Sequence, residues 1–176
     1  MEHWVLVPEV LKVYAKHYET GELIPEHLTE KLDKSGKYGQ GFATTEYLAA
    51  SLLDMDYHVL KEMPANFNVM DFENKVLSQR GLLEQIPARY RSTYFNHTMG
   101  GGYTAGYYSY IWAEVLDCDA YQAFVETGDI YNQNLASRFR NYILTPGGID
   151  DAMDMYINFR GSKPGTGALL DNRGLR

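Results

Sequence analysis

One cysteine, Cys118, is too few for an internal disulfide, and the chain fits a reducing compartment. Its neighbourhood, LDCDA at 116–120, is acidic and disfavours a thiolate, so Cys118 reads as a small helix-packing residue. Basic residues are also scarce: 16 Lys and Arg face 23 Asp and Glu, a formal net charge of -7. The basic stretches at 137–140 and 160–163 are short and interrupted, which argues against a nucleic-acid partner. There is no apolar run of about 18 residues, the length a membrane helix needs, so no membrane partner is expected. Glu2, His3 and Pro8 stand where a secretory signal would carry a basic and then apolar stretch. A cytoplasmic location is the expectation, with an export signal on a longer gene product left open.

The usual catalytic signatures are missing too. The five histidines (His3, His17, His27, His58, His97) are scattered, with no i, i+4 pair and no HExxH, so the chain offers no catalytic metal site of its own. His58 and Glu62 are one turn apart and read as an exposed helix pair. There is no G-x-S-x-G elbow for a serine nucleophile. Gly100 to Gly106 lacks the lysine that a phosphate-binding loop requires.

What is present is a core-forming composition, 45% apolar and 14% aromatic with 15 tyrosines, in a length that suits one domain. Helical periodicity dominates. Residues 10–17 place Val10, Val13 and Tyr14 at helical spacing before a glycine stop at Gly21. Pro25 opens a short amphipathic helix ending near Gly36. Residues 44–62, with no glycine or proline, predict the longest helix, with Leu48, Leu52, Met55 and Leu60 recurring along it. Pro64 closes it, and a further helix over 66–79 has Asp71 as its cap. Helices are also expected over 105–116, over 119–127 after a bend, over 132–144 and over 149–159, with one or two turns at the end. No strand pairing is persuasive. The expectation is an all-α fold, one α-helical domain over 1–176.

One segment carries chemistry. Between Phe95 and Glu114 the chain reads FNHTMGGGYTAGYYSYIWAE, with Gly100, Gly101 and Gly102 running into Tyr103, Tyr107, Tyr108 and Tyr110. Three glycines clear side chains where something approaches the backbone. Neutral tyrosine hydroxyls beside them can donate to a carbonyl oxygen. On a helix begun near Tyr103, the side chains of Tyr103, Tyr107, Tyr110 and Glu114 fall within roughly 60° of one another, while Tyr108 and Trp112 point away toward the core. The tyrosines either pack helices with their hydroxyls at the surface or form a ligand face, and the glycines favour the second.

HTMGGGYTAGYYSYIWAEV resembles the glycine/tyrosine segment of the zinc peptidases that include thimet oligopeptidase, oligopeptidase A and bacterial peptidyl-dipeptidase. The opening MEHWVLVPEVLKVYAKHYETGELIPEHLTEKL, the run Arg89-Tyr-Arg-Ser-Thr-Tyr-Phe95 and the closing Phe159-Arg-Gly-Ser-Lys-Pro164 are similar as well. The triple glycine and the six-residue step from His97 to Tyr103 favour the peptidyl-dipeptidase branch. Members carry HExxH and a third, glutamate ligand upstream of the point that matches Met1, and Glu2 matches a position just after that ligand. The resemblance therefore implies a C-terminal part of a larger mainly α-helical peptidase, starting inside a continuous helix as a truncation or partial gene would.

It further implies Tyr110 as the oxyanion-steadying tyrosine, Tyr103 as a second tyrosine on the substrate and His97 near the same subsites. Gly100, Gly101 and Gly102 match a loop that closes over bound peptide, and Tyr107 belongs with the substrate-binding face. Zinc would belong to the complete enzyme, with none expected on this chain alone. Partners would be short unstructured peptides and the missing N-terminal metal-binding portion. The isolated chain is expected to be inactive. The alternative is a non-catalytic all-α peptide-binding or assembly module, or one half of a split peptidase.

Overall fold

The computed structural model describes residues 2–176, and the expected helix interruption at Met1 lies outside them. The fold is all-α: nine α-helices and no strand occur among the described residues, where two residues, Lys16 and Leu23, form an isolated bridge. No helix among them is long and apolar enough to cross a membrane. They fall into two compact units, one made of the N-terminal segment through Tyr38 together with Asp117–Arg176, the other of Gly39–Leu116.

The first unit opens with a 3₁₀ turn, Glu2–Leu6, and helix α1, Pro8–Tyr14, whose proline gives up no hydrogen bond in the first turn. The expected continuation to His17 does not form. The chain instead turns back: the His17 amide donates to the Glu22 carbonyl at 2.8 Å and the Ile24 amide to Ala15 at 2.9 Å, with Gly21 at φ 71°. Helix α2, Glu26–Lys37, follows Pro25 and leaves Leu28 and Leu32 exposed.

Helix α3, Gln40–His58, begins the second unit, about one turn earlier at each end than its apolar run suggests. Its buried stripe is Ala49, Ala50, Leu53, Asp54 and Tyr57, whereas Leu48 and Leu52 are exposed. Helix α4, Val69–Gln79, is capped by Asn68, whose side-chain oxygen accepts from the amides of Met70 (2.9 Å) and Asp71 (3.2 Å). Asp71 thus lies inside the first turn and is not the cap, because Asn68 holds the extended backbone that the capping position needs. On the same helix the buried Glu73 carboxylate takes the Arg91 guanidinium and, at 2.7 Å each, the amide and hydroxyl of Ser92. The Tyr57 hydroxyl donates to that Ser92 hydroxyl at 2.6 Å. These bonds fasten residues 91–94, a 3₁₀ turn at Ser92–Tyr94, to α3 and α4 just ahead of α5, Asn96–Met99.

Helix α6, Ser109–Glu126, is continuous, and the bend expected near 117–119 is absent. Asp119 is a poor helix former, but its carboxylate is engaged in the first unit by Tyr156 and Arg160 of α8, Ala152–Arg160. Cys118 is buried as read. The first unit is completed by α7, Gln133–Phe139, running into a π-helical turn at Arg140–Leu144, and by α9, Gly167–Asn172. Its core includes Phe124, Leu135, Met155, Tyr156, Phe159 and Leu169. In the second unit the core gathers Ala50, Leu53, Tyr57, Leu77, Phe95 and Tyr107.

Candidate active site

The residues that the sequence singles out come together in the second unit. Phe95 and Tyr90 stack at 5.2 Å, and the buried Tyr107 meets both edge-on, at 5.0 and 5.8 Å. Upon this floor the Tyr103 and Tyr110 rings lie 4.8 Å apart and 31° from parallel. His97 approaches Tyr107, Tyr103 and Tyr110 at 5.5, 6.0 and 6.2 Å between ring centroids. Tyr103 and Tyr110 remain 39% and 38% exposed, an open face that a ligand can reach.

The helical wheel drawn from Tyr103 does not apply, because residues 103–108 form turns and α6 starts only at Ser109. Tyr107 is 3% exposed and belongs to the core. Tyr108 and Trp112, expected inside, are 49% and 39% exposed. Tyr103 and Tyr110 still meet, through a backbone turn in which the Gly106 amide donates to the Tyr103 carbonyl at 2.8 Å.

The three glycines differ. A β-carbon on Gly101 would stand 2.8 Å from the His97 carbonyl oxygen and 3.0 Å from that of Asn96, so no side chain fits. On Gly100 it would meet the Asn96 side chain at 2.8 Å, and on Gly102 it would meet nothing within 4 Å. None of the three uses the left-handed backbone region. The loop is tied back to α5 by the Tyr103 amide on the His97 carbonyl (3.1 Å) and the Thr104 hydroxyl on the Thr98 carbonyl (3.0 Å).

A residue that sequence reasoning missed organises this turn. Asp54, 0% exposed one turn before the C-terminal end of α3, accepts the Ala105 amide on Oδ1 (3.1 Å) and the Tyr107 amide on Oδ2 (3.0 Å). His58 Nδ1 lies 2.9 Å from Asp54 Oδ1 and 2.7 Å from its carbonyl oxygen. Both are pure acceptors, so Nδ1 carries the proton. His58 is thereby paired with Asp54 and not with Glu62, which lies beyond the end of α3. Ala105, at φ 52°, is the one non-glycine residue in the left-handed region among the described residues, a conformation costing about 1–2 kcal/mol. The sequence signal was a carboxylate inside the stripe that runs through Ala50, Leu53 and Tyr57, four residues before a histidine.

The electrostatics keep the phenols neutral. Tyr110 is pushed up to about 12, first by its hydrogen bond with Tyr103, then by partial desolvation and the neighbouring phenols. Burial raises Tyr107 well above the ordinary tyrosine value. Both are therefore protonated donors at neutral pH. Among the described residues no group of three or more His, Cys, Asp or Glu could hold a metal ion. The donors present do not fit the zinc that the resemblance implies. Hollows of about 650 and 270 Å³ lie in the first unit, and none of these tyrosines lines them. The larger is lined by apolar Leu6, Pro8, Leu11, Leu23 and Ile24 and by polar or charged residues that include Glu26, Thr29, Glu30 and Asp33; it has no pair of neutral donors in contact, so the tyrosine face remains the better candidate.

The family model for peptidase family M3 matches residues 1–175. The chain belongs to peptidase family M3. It is 43% identical over 175 residues to a dipeptidyl carboxypeptidase of Salmonella typhimurium, covering 99% of this chain and 26% of that protein. The dipeptidyl carboxypeptidase of Escherichia coli is 42% identical over the same shares. Oligopeptidase A of Haemophilus influenzae is 34% identical over 175 residues, again 99% of this chain and 26% of the relative. This M3 chain thus spans about a quarter of the length of the curated relatives it matches.

Proposed function

We propose that this chain is the substrate-gripping and transition-state-stabilising portion of a zinc-dependent peptidyl-dipeptidase or oligopeptidase that acts on short unstructured peptides. The observation that carries the reading is the exposed Tyr103/Tyr110 pair, two phenols in ring contact beside His97, with Tyr110 held protonated. When a scissile carbonyl is attacked, its oxygen gains negative charge, and preorganised neutral donors stabilise that charge more than they stabilise the ground state. Tyr110 is the oxyanion donor in this scheme. Tyr103 orients it through their shared hydrogen bond and contacts the peptide. His97 borders the same subsite, and Gly101 lets the loop fold tightly enough to present Tyr103. Zinc would serve the complete enzyme by polarising water, and its ligands lie outside the residues described, with the metal-binding portion as the partner. The relatives' names, dipeptidyl carboxypeptidase and oligopeptidase A, support a peptide substrate.

Two measurements test this. The purified 176-residue chain should hydrolyse no peptide, and chelator-sensitive hydrolysis by it would overturn the proposal. In the complete enzyme Tyr110→Phe should lower kcat about 10²–10³-fold while changing peptide affinity far less. Equal losses in both would refute the oxyanion role.

A further inference from the structure

We propose that Asp54 is a positioning residue for the Tyr103/Tyr110 pair: from the penultimate turn of α3 its carboxylate fixes the backbone turn that lies between the two tyrosines. Helix packing alone does not call for a carboxylate here. Its neighbours on the buried stripe are Ala50, Leu53 and Tyr57, and a fully buried carboxylate is retained only where its oxygens are satisfied. Asp54 meets that condition chiefly through the loop. One oxygen takes the Ala105 amide and the other the Tyr107 amide, 51 and 53 residues along the chain.

These two amides alternate along the stretch where the backbone must leave the helical path. Ala105 is held at φ 52°, and the Gly106 amide closes the turn on the Tyr103 carbonyl. Two residues before this clamp stands Tyr103, and three residues after it stands Tyr110 at the start of α6. A change in the turn would swing one ring relative to the other, since no direct backbone hydrogen bond between Tyr103 and Tyr110 sets their approach. Asp54 therefore acts as a cap supplied from another helix. His58 donates its Nδ1 proton to the same carboxylate and keeps it turned toward the loop.

The inference rests on the proposed function only for what the tyrosines do, and its readout needs no peptide. Asp54→Asn keeps the size of the side chain and replaces one acceptor oxygen by an NH₂ that faces an amide. In nuclear magnetic resonance of the 176-residue chain, that variant should lose the cross-relaxation between the Tyr103 and Tyr110 ring protons. Adding Ala105→Gly should restore it, because glycine adopts the left-handed conformation without help. Leu53→Ala, a truncation at the neighbouring buried position, should leave the ring contact in place. If Asp54→Asn alone does not fold, the double variant should fold and show the contact.

Retention of the contact in folded Asp54→Asn overturns the proposal, as does a double variant that fails to fold or to regain the contact. Loss of the contact in Leu53→Ala overturns it as well, since any core damage would then move the tyrosines. A wild-type chain that ignores short peptides refutes the proposed function instead, and leaves the dependence of the ring contact on Asp54 to be read on its own.

Discussion

Asp119 in the first unit and Asp54 in the second are both buried carboxylates on helices, yet their partners differ in kind. Asp119 is held by side chains: the Tyr156 hydroxyl donates to it at 2.6 Å and the Arg160 guanidinium at 3.2 Å, with Arg160 also forking onto Glu126 at 2.8 Å. That arrangement fastens α6 to α8. Asp54 has a side-chain partner, His58 on its own helix, but each of its oxygens also takes a main-chain amide of a loop, and so it dictates a backbone shape. The contrast teaches where to look for function in an all-helical chain. A buried charge answered by side chains secures packing, whereas one answered by loop amides shapes what the loop presents.

The largest effect that should sharpen this contrast is on stability. Asp119→Ala removes the acceptor that Arg160 and the Tyr156 hydroxyl share, while Arg160 keeps Glu126, and should cost about 2–4 kcal/mol in chemical denaturation. The ring contact between Tyr103 and Tyr110 should survive it. A loss below about 1 kcal/mol, or a moved tyrosine pair, would break the distinction.

A smaller effect separates two adjacent glycines. Gly101→Ala drives a β-carbon against two backbone carbonyl oxygens and should cost about 1–3 kcal/mol in thermal unfolding. Gly102→Ala enters open space and should stay within about 0.5 kcal/mol of the parent. Equal effects would mean that the loop is not folded as described.

The smallest is an alkaline slope. Tyr110 holds its proton more tightly in the folded chain than the ordinary value of 10.0, up to about 12. The stability it contributes is whole below pH 10, where folded and unfolded phenols are alike protonated. It declines as pH rises toward 12, because the unfolded phenol ionises first. Denaturation midpoints should fall across that window, and Tyr110→Phe should flatten part of the fall. A variant with an unchanged slope would contradict the hydrogen bond to Tyr103.

Much of the helical order was legible because it is local. Pro25 and the proline-free run of α3 act within a turn or two of themselves. The misreadings have physical causes. Asn68 and Asp71 are both good caps, and only the extended backbone at Asn68 decides between them. A bend is expected between 116 and 119, but the partners that hold Asp119 in a continuous α6 lie far along the chain on α8. Of the site, the glycines, His97, Tyr103 and Tyr110 could be picked out by type and spacing. That Tyr107 turns into the core while Tyr108 and Trp112 face outward depends on a left-handed residue at Ala105. Asp54 left only a local trace, a carboxylate within the buried stripe of α3, because its role exists only once α3 meets residues 105–107.

The most direct test of the central claim is a titration of the 176-residue chain with a short unstructured peptide, followed residue by residue by nuclear magnetic resonance. The account predicts that the perturbed resonances gather on His97, Gly100, Gly101, Gly102, Tyr103 and Tyr110, and weaken in Tyr103→Phe and Tyr110→Phe. Perturbations gathered instead on the hollow walled by Leu6, Leu11, Leu23 and Ile24, or none at any peptide concentration, would contradict it.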